Sequence, residues 1–112
     1  MKLFLFIAIT AVMVANIIAH PAQSVKVTYD EAKQELKVIA QHTVSKPADH
    51  YINKIEVFVD GEKIITQTFK SQKDATNQDV VYSLFDVKKG SKIKVSTVCN
   101  KSGIKVTEIT VQ

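Results

Sequence analysis

From Val25 to the end of the chain, apolar and polar residues alternate with a period of two, in short runs broken by turn-forming residues. A strand turns successive side chains to opposite faces, so this pattern predicts strands with one face buried. The runs are Val25–Tyr29, Glu35–Gln41, Tyr51–Val59, Lys63–Phe69, Asp79–Leu84, Lys92–Val98 and Ile104–Val111. Alternation is clearest in Leu36, Val38 and Ala40, in Ile55, Val57 and Val59, and in Ile93, Val95 and Thr97, which continues in phase to Cys99. Asp60-Gly61 is a two-residue hairpin signal, and Lys89-Gly90 and Ser102-Gly103 mark two further turns. The stretch from Tyr29 to Gln34 reads as a brief helical turn. Seven short strands at regular spacing predict an all-β protein, an immunoglobulin-like antiparallel β-sandwich.

The first residues follow a different rule. Met1-Lys2 is a short positive head, Leu3 to Ala15 is apolar except for Thr10, and Ala19 supplies a small residue at a cleavage position. This is the order of a secretory signal peptide, assigned to residues 1–19, and it leaves one domain over residues 20–112. An uncleaved anchor is the rival reading, but the apolar stretch lies at the bottom of spanning length. The expected location is therefore the periplasm or the exterior, with no membrane segment left after cleavage.

Charge adds an exclusion. The formal net charge is +4, and every cation is lysine. Proteins that read nucleic acid rely on arginine forks for phosphate and guanine, so the mild basicity points to a solvated surface and not to nucleic acid. Cysteine adds a question. Cys99 is the sole cysteine, so no disulfide forms within the chain. An exported free thiol calls for burial, metal ligation or pairing with a partner or second copy of the chain.

Parity of the strands then places the reactive residues. If each strand runs opposite to the one before it, even-numbered strands end where odd-numbered strands begin. His42 closes the second strand, His50 opens the third, Cys99 closes the sixth and His20 leads into the first. All three histidines and the cysteine therefore collect at one pole. The other pole receives Asp60-Gly61 and the Lys88–Lys92 turn, which carry no such chemistry. Imidazole with thiolate is a donor set that suits iron, copper and zinc. The spacing is not diagnostic, because the residues are scattered in sequence. Each also has a plain structural reading: His42 as a half-buried hydrogen-bonded residue, His50 as part of the Lys46-Pro47-Ala48-Asp49 turn, Cys99 as an inert core thiol and His20-Pro21 as a loose leader. No Ser/His/Asp arrangement, glycine-rich phosphate loop or carboxylate pair accompanies them.

At these residues the sequence resembles a known family. His42-Thr43-Val44-Ser45-Lys46-Pro47-Ala48-Asp49-His50-Tyr51-Ile52, with Ile55-Glu56-Val57 and Asp60-Gly61 beyond it, is similar to the histidine loop of the desulfoferrodoxin (superoxide reductase) iron domain. Cys99-Asn100 followed by Gly103 resembles that family's Cys-Asn-x-His-Gly motif. The resemblance implies an immunoglobulin-like sandwich holding ferrous iron by four histidines and one cysteine, with superoxide reduced to peroxide. It implies His42 and His50 as loop ligands and Cys99 as the thiolate. Two departures bear on the site. Ser102 stands where the motif has its last histidine, and the family's early Glu-Lys-His segment is absent. With His20 as a substitute ligand the chain offers three histidines and one cysteine, short of the five-ligand centre.

A second family, the sulfur-oxidation carrier subunit SoxZ, has a similar His-x-Tyr-Ile segment and an Asn-Lys-x-Gly turn, comparable to Asn100-Lys101-Ser102-Gly103. That resemblance implies a docking subunit with structural histidines. Finally, cleavage after Ala19 would make His20 the first residue of the mature chain, where amine and ring together can chelate copper. The expectation taken forward is an exported mononuclear iron protein with His42, His50, Cys99 and His20 as ligands, acting on a small inorganic ligand or reactive oxygen species. Copper at His20 and a metal-free docking module are the alternatives.

Overall fold

The computed structural model describes residues 20–112, and the segment read as a signal peptide, 1–19, lies outside the described residues. Seven strands follow in order: β1 (Ser24–Asp30), β2 (Glu35–Gln41), β3 (Ile52–Val59), β4 (Glu62–Thr68), β5 (Asn77–Ser83), β6 (Lys92–Cys99) and β7 (Ile104–Thr110). They form a three-stranded sheet of order β1-β2-β5 and a four-stranded sheet of order β4-β3-β6-β7, with every pairing antiparallel. The molecule is the all-β sandwich that the alternation predicts. The stretch after Tyr29 is not helical. It is the tight turn of the β1–β2 hairpin, with Gln34 at φ 53°.

The core lies between the sheets. Leu36, Val38 and Ala40 of β2, Ile55 and Val57 of β3, and Ile93 and Val95 of β6 are all fully buried. These are the in-phase apolar positions, and their burial is what fixes the register of each strand, since a one-residue slip would expose the whole row. Two of the rows run past their apolar members into polar ones. The β2 row continues to His42 and the β6 row to Thr97 and Cys99, all of them buried.

The chain crosses between the sheets three times, from β2 to β3, β4 to β5 and β5 to β6. The first two crossings, the β6–β7 turn and the approach to β1 share one pole. The β1–β2 and β3–β4 hairpins and the β5–β6 crossing share the other, where Asp60 and Lys92 hydrogen-bond across.

Candidate metal centre

Each residue at the first pole is held by a different device. His42 extends the inner row of β2, and its backbone N–H donates to the Thr76 carbonyl. His50 ends the turn that begins at Lys46, whose carbonyl accepts from the N–H groups of both Asp49 and His50. A bulge in β3 follows. Against β6, Ile52 pairs with Cys99 and Lys54 with Val98, so Asn53 is the extra residue. The bulge lets both Ile52 and Ile55 face the core, and it sets the strand's entry next to Cys99.

Asn100 ties these pieces together. Its side-chain oxygen accepts from the Tyr51 N–H at 2.9 Å, and its amide donates to the Asp49 carbonyl at 2.9 Å. His20 is brought in by the chain leading to β1. Pro21 there packs against Gly103, where an added Cβ would lie 2.7 Å from Pro21 Cδ. Gly103 also has φ +96°, so glycine is required at this turn for conformation and for space.

The result is a cluster. The ring centroids of His20 and His42 lie 4.9 Å apart, those of His42 and His50 4.8 Å, and those of His20 and His50 5.2 Å, all edge to face. One ligand nitrogen from each ring lies within 4.8 Å of the others. Cys99 joins through His50, with Nε2 to Sγ at 3.1 Å. The three histidines therefore form one group, and Cys99 touches it through His50 alone.

Gln72, in the β4–β5 crossing, completes the site and has no signal in the sequence. It sits in a polar run, Lys70-Ser71-Gln72-Lys73-Asp74, that reads as a solvated loop, yet it is 5% exposed. Its Nε2 donates to the carbonyls of His42 at 2.6 Å and Asp74 at 2.9 Å. Its Oε1 accepts from the Ile52 N–H at 3.3 Å and lies 2.7 Å from His42 Nδ1. Asp74 anchors this loop by accepting from Thr76 and Asn77, and those bonds hold its carboxyl below the usual carboxylate range.

The other ring nitrogen of His42, Nε2, lies 2.9 Å from the His20 carbonyl oxygen. Both nitrogens of this fully buried ring thus face oxygen acceptors. A neutral imidazole donates only once, so one contact is left with two lone pairs opposed unless the ring carries positive charge or meets a cation. His50 is disfavoured as that charge carrier. Burial pushes its imidazole below the usual value, and His42, His20 and Lys101 push the same way.

The donor set fits a transition metal. Bonds of about 2.0 Å to nitrogen and about 2.3 Å to sulfur, meeting at about a right angle, leave the donors about 3.0 Å apart. The 3.1 Å between His50 Nε2 and Cys99 Sγ is a hydrogen-bond contact that also falls at that spacing. The three imidazoles stand wider, and binding requires them to draw in by about 1 Å.

No family model matches the sequence. No curated protein matches it either. In structure the chain resembles the superoxide reductase (neelaredoxin) from Ignicoccus hospitalis, with TM-score 0.51, 23% identity and 80% of each chain covered. A second form of that protein aligns with TM-score 0.49 and 20% identity, over 81% of this chain and 82% of its own. The first likeness shows a shared β-sandwich fold.

Proposed function

We propose that this chain is an exported mononuclear metal protein, with iron as its metal, that acts on a small oxygen species. His20, His42 and His50 would supply nitrogen and Cys99 the thiolate. The observation that carries this reading is the meeting of three imidazoles at a single pole, with the Cys99 thiol beside one of them, His50. A structural role for His42 alone does not account for His50 and His20 beside it, nor for two acceptors around one ring.

Imidazole and thiolate together are a donor set that suits iron. Four protein ligands would leave room for a small molecule. The chemistry a ferrous ion supplies in such a setting is one-electron reduction of superoxide, which with two protons leaves as hydrogen peroxide. Cys99, buried at the end of β6, would tune the ion's potential through its thiolate. Lys101, which is felt electrostatically at His50, adds positive potential that favours an anionic substrate.

The experiment is metal analysis of the protein purified from its exported compartment, beside Cys99→Ala and His50→Ala. About one iron per chain, lost in both variants, is expected, and superoxide consumption should follow the iron. Copper that disappears only when His20 is replaced would overturn the iron reading in favour of an N-terminal chelate. Metal-free protein, with both variants folded like the wild type, would overturn the metal reading and leave a docking module.

A further inference from the structure

The amide of Gln72 can be oriented without ambiguity. Its Nε2 faces two main-chain carbonyls, His42 and Asp74, which only accept, and its Oε1 faces the Ile52 N–H, which only donates. Flipping the amide would break three contacts at once. The atom 2.7 Å from His42 Nδ1 is therefore an oxygen, and it is nearer than the His20 carbonyl at Nε2 and held by three other bonds, so it is the acceptor that draws the proton to Nδ1. In the neutral ring Nε2 is then the lone pair. It faces the main chain of His20, whose carbonyl covers it at 2.9 Å, and the rings of His20 and His50 lie 4.9 and 4.8 Å from this ring.

We infer that Gln72 is a positioning residue for the metal centre: it fixes the proton of His42 on Nδ1 and so presents Nε2 to the ion. This rests on the metal-site reading of His20, His42, His50 and Cys99. The His20 carbonyl is then a cover that a metal displaces, since two acceptors 2.9 Å apart gain nothing from each other. Metal-bound histidines usually donate their other ring nitrogen to a carboxylate, a backbone carbonyl or water. Here a side-chain amide does this, and because it also grips the carbonyl of the residue it orients, the ring and its backbone are set as one unit.

Two variants separate orientation from mere support. Gln72→Leu removes the acceptor and the donors together. Gln72→Glu keeps an oxygen toward Nδ1 and loses the donors to His42 and Asp74. If Gln72 orients the ring, Gln72→Leu weakens iron(II) binding by about 10- to 100-fold and alters the thiolate-to-iron absorption, while Gln72→Glu, which keeps the acceptor for Nδ1, binds clearly tighter than Gln72→Leu. If Gln72 only supports the loop, both variants fail alike, and that result overturns the inference.

A second measurement needs no variant. Nitrogen-15 NMR of the metal-free wild type, at a pH where the ring is neutral, should show His42 protonated on Nδ1. Protonation on Nε2 overturns the inference even where Gln72→Leu fails to fold. Wild type that binds no iron at all would instead defeat the proposed function, whatever the tautomer.

Discussion

At the scale of single residues, His50 sets a pH dependence whose sign follows from its surroundings. Burial, then the charges of His42, His20 and Lys101, hold its imidazole below the ordinary 6.5. The folded protein thus favours the neutral ring more than the unfolded chain does. That stability is fully present above pH 6.5 and is lost as pH falls through the lowered folded value. Metal-free protein should melt at progressively lower temperature as pH drops from about 7 to about 5, and His50→Gln should flatten that part of the profile. Parallel profiles for the two proteins would assign the dependence elsewhere.

At the scale of elements, the site depends on turns more than on strands. Gly103 decides where His20 lies, because Pro21 occupies the space a side chain would need. Gly103→Ala should cost about 1–3 kcal/mol from the positive φ alone. It should also push the Pro21 segment away, so that metal affinity falls toward that of His20→Ala. Calorimetric melting and metal titration of the two variants check this, and unchanged affinity in Gly103→Ala would separate Pro21 from the site.

The same elements show what could be read in advance. Alternation is a local property, so the rows through Leu36 to His42 and Ile93 to Cys99 could be followed from sequence into the buried core. Parity then brought the ends of those rows together, because strand direction needs no knowledge of which strands pair. The division into β1-β2-β5 and β4-β3-β6-β7 could not be read, since it depends on contacts between distant residues. Nor could the bulge at Asn53, which lets Ile52 and Ile55 share a face despite an odd spacing. Gln72 was invisible for a related reason. A polar residue in a polar loop reads as solvated, and its burial comes from crossing over the pole beneath Pro47, whose carbonyl accepts from its N–H.

At the scale of the whole molecule, the two sheets meet the site at one end, and this couples metal to fold. Leu36, Val38 and Ala40 lead to His42, while Ile93 and Val95 lead to Cys99, so each sheet ends its core row in a proposed ligand. An ion bound by both rows clamps the sheets together. It binds the folded chain, because the unfolded chain does not hold His42 and Cys99 near each other. Free metal at about 100 times its dissociation constant should then stabilise the fold by about 2.7 kcal/mol. For a domain of this size that is a rise of about 10–20 °C in Tm, reversed by a chelator. Differential scanning calorimetry with and without iron(II) measures it. Cys99→Ala should abolish the rise, because it removes the thiolate on which the proposed centre depends. A single-sheet chelate at His20 and His42 predicts a rise that survives loss of Cys99, so the calorimeter distinguishes a centre that bridges the sandwich from one that decorates its edge.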